Sequence, residues 1–253
     1  MTRQTIRKGD QYTMKTAFIS DIHGNATALE AVLEDINRKQ VDKIIVLGDI
    51  CYRGPEPKRA LDLVRSLDAP VIKGNADEWV VRGIREGEVP DKALEMMRKE
   101  REWTVSKLNE DDINYLKDLP EDYSFELSDG LEVHCFHAVP GNLFEVVRPE
   151  EEAGVIEQKL MVKTSASLYV YGHIHLPYVR FINGKTVANM GSTGLPFDGL
   201  NYASYLIAEA DGGQFQTGIQ RVSYDTEQAG EKYFEADYPN AEFMANVVRN
   251  GRL

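Results

Sequence analysis

Short apolar runs alternate with longer helical stretches over the first third of the chain. The runs at 16–19, 43–47 and 71–73 are too brief for helices and predict strands in the core of a sheet. Residues 26–39, which follow a potential cap at Asn25, and the amphipathic stretch 56–67 predict helices. Alternation of strand and helix is typical of right-handed parallel crossovers and indicates an α/β fold.

The pattern changes twice further along the chain. Residues 78–118 are charge-rich and helical, with breaks near Gly87 and Pro90. They predict a helical insert on the αβ core, which either overhangs a site or is a plain structural bundle. After Pro120 we expect strand pairs at 123–127 with 131–136, 178–182 with 185–188, and 202–209 with 214–222. A strand at 168–171, a helix near 150–162 and two short terminal helices complete the prediction.

Residues 1–13 show no periodicity and are expected to form an N-terminal extension. Residues 14–253 are expected to form one domain, since the chain holds 253 residues and shows neither a repeat nor a low-complexity linker. The polar start contains no signal-peptide core, and no apolar run approaches the roughly 18 residues of a spanning helix.

Composition narrows the function classes. The chain is 42% hydrophobic and 28% charged, with a formal charge of −12, so we expect no membrane partner and no broad binding to nucleic acid. The two cysteines, Cys51 and Cys135, suggest no disulfide framework and favour a cytoplasmic location. The sequence predicts no oligomeric state.

Side chains able to bind metal stand at the ends of the short apolar runs. They lie in Asp21-Ile22-His23, Gly48-Asp49, Gly74-Asn75-Ala76-Asp77, His137-Ala138-Val139-Pro140 and Gly172-His173-Ile174-His175, which hold four of the five histidines. Ligands at the carboxyl ends of neighbouring strands converge on one crevice. Taken singly, each of these motifs has a structural interpretation as a turn, a helix cap or the polar face of a strand. Together they are too many for one ion but suffice for two that share a carboxylate, the usual apparatus of phosphate ester hydrolysis.

In this order the motifs resemble those of the calcineurin-like metallophosphoesterases. Asn189-Met190-Gly191-Ser192 is similar to the Asn-Pro-Gly-Ser turn of many small members, so the resemblance covers about residues 15–222. It implies a four-layer αββα sandwich of two mixed β-sheets with helices outside. It also implies a division of the ligands: Asp21, His23 and His175 bind one ion, Asn75, His137 and His173 bind the other, and Asp49 bridges them together with a hydroxide.

Residues around the ligands allow more than one interpretation. Arg53 is placed to reach a phosphate, where a guanidinium suits the geometry, or it forms a surface ion pair. Asn25 is a helix cap that the resemblance also places near the substrate, and Cys51 is equally consistent with packing and ligation. Ala76 stands where many members carry a histidine thought to protonate the leaving group. Asp77 is the nearest substitute acid, or else an ionised carboxylate that supports a ligand.

The predicted function is hydrolysis of a small phosphoester, phosphodiester or nucleotide by in-line attack of a metal-bridging hydroxide. The oxygen and nitrogen ligands suit two divalent ions such as Mn, Fe, Co, Ni or Zn, with Mn expected to serve in assays. One alternative is a non-catalytic scaffold on the same fold, as in the retromer subunit that resembles phosphoesterases, although such scaffolds usually lose the histidines. The other is a nuclease, which the acidity and the lack of a basic, aromatic surface oppose. His134 lies three residues before His137 and is expected to be structural.

Overall fold

A computed structural model describes residues 14–211 and 213–252; the predicted extension at 1–13 lies outside these residues. Within them the chain forms nine strands and eight helices. The strands are β1 (Met14–Ile19), β2 (Lys43–Val46), β3 (Asp122–Ser128), β4 (Leu131–Phe136), β5 (Leu168–Tyr171), β6 (Tyr178–Ile182), β7 (Lys185–Asn189), β8 (Ala203–Asp211) and β9 (Gln214–Val222). The helices are α1 (Ala26–Arg38), α2 (Pro57–Arg65), α3 (Asn75–Arg82), α4 (Asp91–Ser106), α5 (Glu110–Asp118), α6 (Ala153–Leu160), α7 (Thr226–Glu235) and α8 (Ala241–Asn250). No helix in these two ranges is long and apolar enough to cross a membrane.

The strands form two mixed sheets. The first has the order β2-β1-β8-β9, in which β1 and β2 are parallel and the other pairs antiparallel. The second has the order β3-β4-β5-β7-β6, with a parallel centre and an antiparallel strand at each edge. The three predicted strand pairs, β3 with β4, β6 with β7 and β8 with β9, are therefore confirmed.

The sheets pack face to face because successive side chains of a strand point to opposite faces. In β1, Phe18 lies in the core cluster between the sheets, which also contains Val133 of β4 and Val170 of β5. Ala17 and Ile19 point the other way, into the cluster formed with α1, α2 and α3. Helix α6 packs on the outer face of the second sheet. The predicted αββα sandwich is confirmed.

The prediction of a strand at 71–73 is wrong. Residue Val71 makes only an isolated bridge to Val46, after which Lys73 donates its N–H to the carbonyl of Pro120 at 2.7 Å. Pro70 has no N–H for a ladder, and Gly74 directly precedes helix α3. The helical region accordingly begins at Asn75, so that the motif Asn75-Ala76-Asp77 occupies the first turn of a helix instead of a loop.

The two tryptophans of the predicted insert are packing residues. Trp79 is 8% exposed in the cluster beneath the first sheet and makes an edge contact with Tyr52 at 6.0 Å between ring centroids. Trp103 packs edge-on against Tyr238 at 4.8 Å, beside the terminal helices. These contacts fix α3 and α4 on the core.

Candidate metal centre

The seven predicted ligands lie where strands of both sheets end. Asp21 and His23 follow β1, Asp49 follows β2, His137 follows β4, His173 and His175 follow β5, and Asn75 begins α3. Strands β1 and β2 are parallel neighbours in one sheet, as are β4 and β5 in the other. Their carboxyl ends therefore meet at one edge of the sandwich, and the structure brings all seven side chains together there.

The first group is formed by Asp21, His23 and His175, all of them buried. The Nε2 atom of His175 lies 3.2 Å from Asp21 Oδ1 and 3.1 Å from His23 Nε2. A backbone carbonyl can only accept a hydrogen bond, so the ring nitrogen that contacts it must be the donor. His23 Nδ1 therefore donates to the carbonyl of Tyr52 at 2.8 Å, and His175 Nδ1 donates to the carbonyl of Leu195. In the neutral rings both Nε2 atoms then carry lone pairs. Two lone pairs and a carboxylate oxygen at these distances fit a cation.

The second group is formed by Asn75, His137 and His173. The Oδ1 atom of Asn75 lies 2.9 Å from His137 Nε2 and 2.7 Å from His173 Nδ1. The other ring nitrogen of His137 donates to the carbonyl of Leu47 at 2.6 Å, which leaves Nε2 to face the group. One amide oxygen and two imidazole nitrogens thus converge, a donor set that suits divalent transition ions.

Asp49 connects the two groups through a single oxygen. Its Oδ1 atom accepts the N–H of Ala76 at 2.7 Å. Its Oδ2 atom lies 3.6 Å from His23 Nε2 in the first group and 3.4 Å from His137 Nε2 in the second. Because a backbone N–H occupies the first oxygen, the second is the one available to both groups.

Burial and neighbouring charges shift the pKa values of these side chains. Burial lowers the pKa of His23 and of His173 to about 4, so that both rings are neutral at neutral pH, the form that binds metal. For His137 burial opposes the charge, but the Asp49 carboxylate raises the pKa to about 9, so this ring would release a proton on binding a metal ion. Burial would likewise raise the pKa of Asp49, yet the charge of His137 holds it well below its usual range.

Five of the ligands have a backbone conformation that sequence reasoning did not predict. Asp21, His23, Asp49, His173 and His175 have φ between 49° and 69°. This left-handed conformation is uncommon for residues other than glycine. Each instance costs on the order of 1–3 kcal/mol and clusters of them occur at functional sites. The sharp turns that it produces direct the side chains over the ends of the strands.

Comparison with known proteins agrees with this geometry. The family model of the calcineurin-like phosphoesterase superfamily domain matches residues 14–213. The chain belongs to this superfamily. It is 31% identical to the uncharacterized protein MJ0912 of Methanocaldococcus jannaschii, over 93% of this chain and 98% of that one.

Solved structures show the same fold. A metallophosphoesterase from Sphaerobacter thermophilus is 27% identical with a TM-score of 0.76, and the match covers 95% of this chain and 100% of that one. The hypothetical protein PH1004 from Pyrococcus horikoshii OT3 is 21% identical with a TM-score of 0.81, over 94% and 98% of the two chains. The Asp and His groups are therefore candidate metal-binding groups on a metallophosphoesterase fold.

Asp77 is enclosed by backbone donors. Its carboxylate accepts the N–H groups of Asp49 at 2.8 Å, Ile50 at 2.9 Å and Gly74 at 2.9 Å. It is 0% exposed, and burial together with the Asp49 charge raises its pKa to about 7. With both oxygens in use, Asp77 joins the loop after β2 to the start of α3. The contacts favour the interpretation that Asp77 supports the ligand Asp49.

The other residues around the candidate ligands have identifiable partners. Asn25 caps α1 through Ala28 N–H at 3.0 Å and donates to the carbonyl of Gly194 at 2.9 Å, so its polar atoms are used within the fold. Cys51 is buried in the core, where burial raises its pKa well above the usual value. His134 lies 3.3 Å from Asp122 Oδ2, outside the metal-binding groups.

The Asn189–Ser192 turn has a role that sequence reasoning left open. The amide of Asn189 donates to the carbonyl of Gly172 at 2.6 Å, directly before His173. The hydroxyl of Ser192 donates to the carbonyl of Asp21 at 2.7 Å and accepts the N–H of Leu195 at 2.7 Å. The turn thus ties the loop after β5 to the loop after β1, which together supply the first group.

Close approach of these loops requires Gly172. A Cβ atom at Gly172 would lie 2.7 Å from Asp21 Oδ2 and would overlap Ser20 Oγ. We expect Gly172→Ala to weaken binding of one ion by about 10–100-fold, as for mutations beside metal ligands. The matched control is Gly154→Ala in α6, where a Cβ meets nothing within 4 Å. Calorimetric Mn²⁺ titration of both variants tests this, and equal affinities in the two would contradict it.

Proposed function

We propose that this protein is a dinuclear metal-dependent phosphoesterase that hydrolyses a small phosphoester, phosphodiester or nucleotide. The observation that carries the proposal is the position of Asp49 Oδ2, 3.6 Å from His23 Nε2 and 3.4 Å from His137 Nε2. One carboxylate oxygen shared by two groups of ligands is the arrangement that a two-metal site needs.

Each group would hold one ion. Asp21, His23 and His175 would bind the first, Asn75, His137 and His173 the second, and Asp49 both. Buried Cys51 has a raised pKa and supplies no thiolate, so the donors are oxygen and nitrogen and suit Mn, Fe, Co, Ni or Zn. Bound there, two ions would lower the pKa of a water and neutralise charge on the phosphoryl oxygens.

The chain's own residues would orient the substrate. Arg53 stands on the loop after β2, and its guanidinium would donate to non-bridging phosphoryl oxygens. The carbonyls of Tyr52 and Leu47 hold the rings of His23 and His137 in fixed orientations, which preorganises the groups before a substrate arrives. The formal charge of −12 favours a small phosphorylated substrate over a nucleic acid.

Removal and return of metal tests the proposal. Protein purified without chelator is expected to contain divalent ions by elemental analysis and to hydrolyse bis(p-nitrophenyl) phosphate or p-nitrophenyl phosphate. Dialysis against EDTA should abolish turnover, and Mn²⁺ should restore it, because the groups that would hold the ions are preformed by hydrogen bonds. Metal-loaded protein that turns over no monoester, diester or dinucleoside polyphosphate would contradict the proposal.

A further inference from the structure

Glu100 of helix α4 is a completely buried carboxylate outside the two ligand groups, at 0% exposure. An unpaired carboxylate in such a place costs several kcal/mol of folding free energy. Among the described residues its charged partner is Arg53, whose Nε atom lies 3.3 Å from Glu100 Oε2. Asn240 donates to Glu100 Oε1 at 3.0 Å, and the Tyr52 hydroxyl lies 3.4 Å from Oε2.

The guanidinium of Arg53 is held by charge but keeps donors to spare. Its Nε atom is buried against Glu100, where the contact is an ion pair without a hydrogen bond, so the donors available to a substrate are those of the terminal nitrogens. Its Nη2 atom reaches Met244 Sδ at 3.4 Å, and a thioether is a weak acceptor. The side chain remains 19% exposed. A positioned guanidinium with free N–H groups suits a phosphoryl oxyanion.

The loop that carries Arg53 contacts the loop that carries Asp21 and His23. The carbonyl of Tyr52, the residue before it, accepts from His23 Nδ1 at 2.8 Å. Gly24 donates its N–H to the carbonyl of Ile50 at 2.8 Å, so the loop after β2 packs directly on the loop after β1. Arg53 has a φ of 72°, and the hydroxyl of Tyr233 donates to its carbonyl at 3.0 Å.

Segments far from the ligand motifs converge on this residue. Helix α4 contributes Glu100, α7 contributes Tyr233, and α8 contributes Met244; both α7 and α8 lie beyond residue 213, where the family match ends. Asn240 is the N-cap residue of α8, yet its side chain makes no capping hydrogen bond and turns to Glu100 instead. This contact connects the start of α8 to Glu100.

We propose that Glu100 is a positioning residue that holds the Arg53 guanidinium ready for the phosphoryl group. Through it the helical insert and the C-terminal helices set the affinity for the substrate. The inference rests on the proposed function, but phosphate binding tests it without turnover.

The test is a double-mutant cycle on Mn²⁺-loaded protein, with the affinity for inorganic phosphate measured by calorimetry. We expect Arg53→Ala to weaken phosphate binding by about 10–100-fold, the value of hydrogen bonds to a charged group. Glu100→Gln should weaken it by about tenfold at unchanged metal content, and the double variant should match Arg53→Ala alone. Glu102→Gln, at an exposed position of the same helix, is the matched control and should leave the affinity unchanged.

Additive losses in the cycle, or an unchanged affinity in Glu100→Gln, would overturn the inference. If Glu100→Gln does not fold, Asn240→Ala takes its place, since it removes one donor to Glu100 and leaves both charges. Its phosphate affinity should fall by about two- to fivefold, and an unchanged value would again overturn the inference. Wild-type protein that binds phosphate but hydrolyses no ester would refute the proposed function, while the cycle would still report on Glu100.

Discussion

Asp49→Ala is expected to lose both metal ions and to reduce hydrolysis by about three orders of magnitude or more. The reason is geometric: Asp49 Oδ2 faces both ligand groups. The fold should persist, because the direct loss is one acceptor for the Ala76 N–H, worth about 1–3 kcal/mol. Elemental analysis, activity with bis(p-nitrophenyl) phosphate and thermal unfolding measure the three effects.

Three further variants make this result specific. His175→Ala and Asn75→Ala should each lose one ion, because each side chain lies in one group. Asp112→Ala removes another fully buried carboxylate, which belongs to the capping box of α5. It should lower the stability, because Asp112 also contacts Lys58 at 3.3 Å and Arg65 at 3.2 Å, and it should keep both ions. An Asp49→Ala protein that retained two ions and near-native rates would contradict the assignment.

Rates are expected to depend steeply on the acidity of the leaving group. Ala76 occupies the position where many family members carry a histidine, and its methyl group is buried in the core. Asp77, the next candidate, has both oxygens engaged by backbone N–H groups. Neither side chain is arranged to protonate the departing oxygen. A positioned general acid contributes about 10²–10⁴-fold, so nitrophenyl or nucleotide leaving groups should exceed simple alkoxides by that order.

A series of substituted phenyl and alkyl phosphodiesters at saturating Mn²⁺ measures this dependence. In Asp77→Asn the amide cannot replace three accepted hydrogen bonds, so the loop carrying Asp49 should shift. The rates for all substrates should then fall by the same factor, and the dependence of the rate on leaving-group pKa should keep its slope. A flat dependence in the wild type that becomes steep in Asp77→Asn would instead identify Asp77 as the acid.

The convergence of the seven candidate side chains and most strands could be predicted because their signals are local. Asp21 and His23 stand directly after an apolar run, and Asn183-Gly184 marks the turn between β6 and β7. The absence of a strand at 71–73 could not be recognised from the apolar run alone, because Lys73 donates its N–H to the carbonyl of Pro120, which lies far along the chain. Whether a residue belongs to a strand is decided there by tertiary hydrogen bonds.

The pairing of Arg53 with Glu100 could not be predicted for a related reason. Arg53 lies in a loop and Glu100 in a helix of the insert, and only the packing of α4 brings them to 3.3 Å. The sequence therefore allowed a surface ion pair or a phosphate contact for Arg53. The structure shows a buried partner, which keeps the guanidinium positioned while leaving donors free.

The most direct test of the proposed dinuclear site is a crystal structure of the Mn²⁺-loaded protein with anomalous diffraction data. We predict two anomalous peaks about 3.5–4 Å apart, one beside His23 and His175 and the other beside His137 and His173, with Asp49 Oδ2 between them. A single peak, or peaks away from Asp49, would contradict the account.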